Sequence, residues 1–142
     1  MKKIAMTLFV LFIAIAFTAC EKTQNKEKAE VKNTNTISEN VEIYYFHGTR
    51  RCVTCVAVGD VAANLVADKY GKNPNVKFIE INIDESAPGI EELAEKFKVT
   101  GSGLYVYNGE NIENITALAF QKAISAPDQL EKKLIELIDK NL

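Results

Sequence analysis

The chain has 142 residues, 25% of them charged, with a formal net charge of −2 and no tryptophan. Its basic residues form no large patch, which excludes nucleic acid as a partner held by charge. From Val41 onward about 100 residues remain, enough for one small domain with one core, and no internal repeat is present.

The N-terminus reads as a targeting segment. Met1-Lys2-Lys3 leads into an apolar run from Ile4 to Phe17, followed by small residues and Cys20. A basic start, a short apolar run and a small-residue site form a secretory signal, because the run falls short of the ~20 residues of a spanning helix. Phe17-Thr18-Ala19-Cys20 resembles the bacterial lipobox, with Phe17 where Leu is usual. That resemblance implies lipidation of Cys20 as the mature N-terminus and a membrane-anchored protein facing the periplasm or another extracytoplasmic space. Glu21 to Asn40 is Lys, Glu, Asn and Thr with hardly an apolar residue, too little to offset chain entropy, so it reads as a disordered polar tether. Residues 1–20, 21–40 and 41–142 are thus a signal, a tether and a domain, the last expected as a monomer.

Within the domain, Val41-Glu42-Ile43-Tyr44-Tyr45-Phe46 is β-branched and aromatic on both faces, the pattern of a strand covered on both sides. His47-Gly48-Thr49 breaks it, and from about Cys52 to Tyr70 the apolar spacing turns helical, with Gly71 as the stop. Val76 to Asp84 is a second strand, and Ser86 and Pro88 open a helix carrying Ile90, Leu93 and Phe97 on one face. Leu104 to Tyr107 is a third strand, and Asn108-Gly109 is the dipeptide preferred at the centre of a two-residue hairpin. A fourth strand starts near Asn111, after which Ile115 to Ile124 fits strand continuation or a short helix. Ser125-Ala126-Pro127-Asp128 begins a last amphipathic helix with Leu130, Leu134, Leu137 and Ile138. The order β-α-β-α-β-β-α predicts an α/β domain with a mixed four-stranded sheet and helices on both faces.

Cys52-Val53-Thr54-Cys55 falls between the C-terminal end of the first strand and the start of its helix, the edge at which open α/β sheets carry their sites. A helix N-terminus offers free amide N–H groups and the positive end of the helix dipole, which favour a thiolate. Arg50 and Arg51 add positive charge beside it, so the Cys52 pKa should lie below the free value of ~8.5. Cys52 is then the attacking sulfur and Cys55 the one that resolves the mixed disulfide. A static disulfide is the bland alternative, although so small a loop adds little stability. A soft ion, Cu(I) or arsenite, held by Cys52 and Cys55 with His47 nearby is the other; zinc would want four ligands. An interaction module with vestigial chemistry is a further possibility. No Gly-rich dinucleotide fingerprint is present, and no cofactor beyond a redox-active Cys52–Cys55 disulfide is expected.

In this order of elements, with Asn82-Ile83-Asp84, Phe97-Lys98-Val99-Thr100-Gly101 and Asn108-Gly109 at matching places, Val41 to Leu142 resembles the thioredoxin-like superfamily. The resemblance implies a minimal, glutaredoxin-like core, a thiol-disulfide oxidoreductase with Cys52 as nucleophile and Cys55 as resolving thiol, and a protein thiol or disulfide as partner. It also marks three departures. Arg51 stands where thioredoxins have Trp, and Val53-Thr54 where they have Gly-Pro. Their buried acid falls on Phe46, and their cis-proline, which faces the cysteine pair, on Gly103. More narrowly, FHGTRRCVTC after a Tyr-rich strand looks like the ArsF-like family of exported thioredoxin-like proteins described as subunits of nitrophenyl-compound nitroreductases. That likeness implies an electron-delivery or accessory role toward a membrane-associated partner, with no flavin on this chain.

Overall fold

The computed structural model describes residues 40–142. The signal segment, Cys20 and, but for Asn40, the tether expected over residues 21–40 lie outside them. Four strands and four helices follow in the order β1 (Val41–His47), α1 (Val53–Tyr70), β2 (Val76–Asn82), α2 (Ile90–Phe97), β3 (Gly103–Tyr107), β4 (Ile112–Asn114), α3 (Thr116–Lys122) and α4 (Pro127–Lys140).

β1 is the reference strand. It pairs in parallel with β2, Val41 opposite Val76 and His47 opposite Asn82, and antiparallel with β3, Phe46 opposite Gly103 and Glu42 opposite Tyr107. β4 adds antiparallel to β3, giving the order β2-β1-β3-β4. Strand periodicity then sorts the side chains of β1 between two apolar layers. Val41, Ile43 and Tyr45 face a cluster that includes Val58, Ala62 and Leu65 of α1, Ala119 of α3, and Leu130, Leu134 and Ile138 of α4. Tyr44 and Phe46 face the other side, against Ile81, Phe97 and Tyr105. A mixed four-stranded sheet of this order, with the first crossover helix opening at the cysteine pair, is a thioredoxin-like α/β fold.

The second layer is aromatic. The Phe97 ring lies 4.6 Å from Tyr44, 5.4 Å from Phe46, 5.6 Å from Tyr105 and 5.7 Å from Tyr107 between centroids, the last two edge-on. Offset and edge-to-face pairs of this kind contribute beyond area burial. Burial pushes the Tyr44 phenol up to about 12, reinforced by its hydrogen bond to the Glu42 carboxylate, so it stays protonated. α2 ends with Lys98 in the left-handed region at φ 53°, where Val99 N–H bonds Ala94 O and Lys98 N–H bonds Glu95 O. That closure places the Gly101-Ser102-Gly103 segment at the mouth of β3.

Strand ends shift by one or two residues, His47 closing the first strand and Asn82 the second, and two features differ more from the sequence reading. Ile115–Ile124, open between strand and helix, forms α3, because Ile115, Ala119 and Ala123 recur at helical spacing and all three are buried. The hairpin centre also moves by one residue. Asn108 N–H bonds Asn111 O across the turn, which leaves Gly109-Glu110 central, with Gly109 at φ 93°. Asn108 instead flanks the turn, its side-chain oxygen accepting from the N–H groups of Glu110 and Asn111.

Phe97 joins both sides of the aromatic layer. Phe97→Ala should lower stability by about 3–5 kcal/mol. Urea unfolding followed by circular dichroism should show an earlier midpoint at unchanged slope.

Candidate functional site: the Cys52–Cys55 pair at the start of α1

Cys52 is the N-cap of α1, with extended backbone at φ −77° and ψ 165°. Its sulfur takes the role a Ser or Asp oxygen plays at other helix starts, accepting from Cys55 N–H at 3.3 Å. The chain returns by one helical turn between the two cysteines, which brings the sulfurs to 2.8 Å. Cys52 is exposed and Cys55 is buried, the asymmetry needed for one sulfur that meets a partner and one that waits beneath it.

The Cys52 thiol is held below its ordinary pKa. The largest cause is the hydrogen bond from the Cys55 thiol, followed by Cys55 N–H and the neighbouring backbone amides of the first turn, against a smaller opposing effect of desolvation. Neither arginine is among these causes, because Arg51 is turned elsewhere. Its Nη1 lies 2.8 Å from Glu80 Oε1 and its guanidinium sits 5.3 Å from the centre of the Tyr45 ring. Arg51 Nε is buried without a hydrogen-bond partner. Glu80 reaches this place because β2 sets it directly opposite Tyr45 in the sheet, on the α1 side. His47 closes the cluster, with Nε2 3.1 Å from the same Glu80 oxygen and Nδ1 2.9 Å from Gly48 O.

Tyr45 carries the helix start. Its ring is fully buried beneath α1 and its hydroxyl donates to Cys55 O at 2.6 Å. Burial raises the phenol above its usual range, so it acts as a donor. The approach is possible because residue 59 is glycine. A β-carbon there would come within 2.8 Å of Arg51 Nη2 and 2.9 Å of Tyr45 Cε1. The loop from His47 to Arg51 is tied to the end of β2 by Ile83 N–H to His47 O at 2.8 Å, Thr49 N–H to Asp84 Oδ2 at 2.7 Å and Asn82 Nδ2 to Thr49 Oγ1 at 3.1 Å.

The other residues expected at the site fall as follows. Phe46, where the resemblance sets the buried acid, points into the aromatic layer away from α1, and Tyr45 occupies the space beneath the pair. Gly103, expected to face the sulfurs, is held in β3 opposite Phe46, where a β-carbon would first meet Tyr105 and Thr116. The neighbour that reaches the pair is Ser102, whose Oγ lies 4.0 Å from the Cys55 sulfur. No cis peptide bond occurs among the described residues. His47 turns both ring nitrogens to oxygens, and among the described residues no three His, Cys, Asp or Glu side chains form a group able to hold a metal. Arg50 remains exposed in the loop. Tyr45, Gly59, Glu80 and Ser102 were not singled out by motif. A glycine inside a helical run and a lone carboxylate in the apolar stretch Phe78-Ile79-Glu80-Ile81 were the available signals.

Among solved structures the chain is similar to a malarial protein, at 22% identity and TM-score 0.49 over 72% of this chain and 98% of the other. It is also similar to thioredoxin O2 from Arabidopsis thaliana in its oxidized state, at 20% identity and TM-score 0.47 over 69% of this chain and 74% of the other. No protein-family model and no curated protein matches the chain.

Iodoacetamide should modify Cys52 before Cys55, with a pH midpoint below that of a free cysteine at ~8.5. Cys55→Ala removes the largest cause of the shift and should move that midpoint upward, as read by peptide mass spectrometry. Because the folded value is depressed, the thiolate's contribution to stability of the reduced protein is present above the unfolded thiol pKa and lost as pH falls through the folded one. For Gly59→Ala, the intrinsic helix gain of about 1 kcal/mol is opposed by overpacking of about 1–3 kcal/mol against a ring that cannot retreat. The variant should unfold earlier in urea and its Cys52 alkylation profile should change.

Proposed function

We propose that this chain exchanges electrons with a protein partner through the Cys52–Cys55 dithiol, working outside the cytoplasm and tethered to the membrane at Cys20. The observation that carries the reading is the asymmetric pair, an exposed sulfur with a lowered pKa touching a buried one. The chemistry balances with these two residues. The Cys52 thiolate attacks one sulfur of a partner disulfide, forming a Cys52–partner bond as the partner's S–S bond breaks and its other sulfur leaves as thiolate. Cys55 then attacks Cys52 Sγ, the mixed disulfide breaks, and the second partner sulfur leaves. The Cys55 thiol proton goes to a departing thiolate or to solvent; once Cys52 is tied up in the mixed disulfide and no longer accepts it, Ser102 Oγ, 4.0 Å away, is the acceptor within reach. Two electrons pass to the partner and the chain is left with a Cys52–Cys55 disulfide. The reverse sequence oxidises a partner dithiol, and which direction prevails depends on the relative reduction potentials.

Each surrounding residue has a share. The first-turn amides and the Cys55 thiol hold the charge on Cys52. Tyr45 fixes the Cys55 carbonyl so that the turn carrying both sulfurs does not fray. Arg51, Glu80 and His47 anchor the loop that leads into Cys52. An accessory role delivering electrons within a membrane-associated nitroreductase-type complex is a narrower form of the same chemistry, resting on the Phe46–Cys55 stretch alone.

The test is covalent trapping in the exported full-length protein. Cys55→Ser should accumulate a partner as a mixed disulfide on Cys52, released by dithiothreitol and identified by mass spectrometry. Cys52→Ser should trap nothing and should lose disulfide reduction outright. Activity undiminished in both variants would remove the dithiol reading. Stoichiometric retention of Cu(I) or arsenite by the reduced protein, without trapping, would favour the soft-metal role instead.

A further inference from the structure

The environment of Cys52 is uneven in charge. A disulfide that reaches it must lie over the exposed residues that flank it in the chain, since the second sulfur, Cys55, is buried. Two of these are apolar: Val53 is 78% exposed and Val56 40% exposed. The third is Arg50, two residues before Cys52 and exposed.

The two arginines of the loop have different fates. Arg51 is paired with Glu80, and that carboxylate also meets His47. Among the described residues Arg50 has no ion-pair partner. The first turn of α1, where acidic residues ordinarily offset the helix dipole, contains none. So the exposed stretch before the reactive sulfur carries a cation that forms no ion pair among the described residues, the other carboxylate held on this loop, Asp84, being bonded to Thr49 N–H.

We propose that Arg50 selects the partner: the segment presented to Cys52 carries an acidic residue beside its cysteine and an apolar residue over Val53 and Val56. This rests on the thiol-exchange reading and adds the chemical class of partner to it. The acidic side chain meets Arg50 as the partner sulfur comes into line with Cys52. An exposed pair of this kind is screened by salt, so the preference belongs to low and moderate ionic strength.

The experiment uses the reduced full-length protein and short peptides with cysteine flanked by Asp, Ser or Lys, each supplied as its symmetrical disulfide. Rates of disulfide reduction are divided by the rate of the same peptide with dithiothreitol, which removes the effect of flanking charge on the leaving thiol. The Asp peptide should react about two- to fivefold faster than the Ser peptide, the size of one exposed ion pair, and the Lys peptide more slowly. Arg50→Ala should level the three, Arg50→Glu should invert their order, and added salt should flatten the wild-type series. Arg50 forms no ion pair among the described residues, so Arg50→Ala should leave the urea midpoint unchanged. Equal normalised rates in the wild type, or a preference unchanged in Arg50→Glu, would overturn the assignment while leaving thiol exchange intact. Failure to exchange with any of the peptides in either direction, as disulfides with the reduced protein or as thiols with the oxidised one, would instead remove thiol exchange and this inference with it.

Discussion

The hydrogen bond from the Tyr45 hydroxyl to the Cys55 carbonyl is the contact on which the site depends. A helix N-terminus is the part of a helix held least by its own bonds. Here that end must hold two sulfurs in fixed relation while one of them is exposed. Tyr45 meets the need from below: it is fully buried, rooted in the central strand, and 2.6 Å from the carbonyl of the second cysteine. The bond requires Gly59, since any β-carbon there would occupy the space of the Tyr45 ring. It also requires the register that places Glu80 opposite Tyr45, because Glu80 draws Arg51 across the ring.

This arrangement separates two tasks that the sequence places side by side. Thiolate stabilisation is local, coming from Cys55 and the first-turn amides, and it operates on a sulfur that remains open to a partner. Loop anchoring is the work of charged groups, with His47 and Arg51 sharing the Glu80 carboxylate. An exposed ion pair contributes at most about 1 kcal/mol, so the cluster matters for where it holds the chain more than for stability. The aromatic layer on the opposite face supplies bulk burial and leaves the α1 face to be shaped by specific contacts.

The fold was largely legible because period and breakers agreed. Val41 to Phe46 alternates between two apolar faces, Val76 to Asn82 does so less strictly, and Gly71 and Pro127 stand at helix boundaries. Ile115–Ile124 was not legible, since its apolar residues satisfy both periods until α1 and α4 provide something for a helix to pack on. At the site, the cysteine pair and its place on a helix start could be read directly. What surrounds the pair could not. Phe46 and Tyr45 are adjacent and both apolar in bulk, and only the pleat decides which of them lies beneath α1. Gly103 and Ser102 differ by one position in the same way. The charge on Arg51 reads as help for Cys52 in one dimension, yet a carboxylate 29 positions downstream claims it.

The central claim is that Cys52 and Cys55 form a dithiol that turns over. Equilibration of the full-length protein in glutathione redox buffers, with the oxidised fraction counted by mass after thiol blocking, tests it most directly. A working pair should show one reversible two-electron transition with loss of two hydrogens. Its midpoint should lie in the range of exchange proteins, about −270 to −120 mV. A pair that stays oxidised to below about −300 mV, or that forms only glutathione adducts without an internal disulfide, would contradict the account.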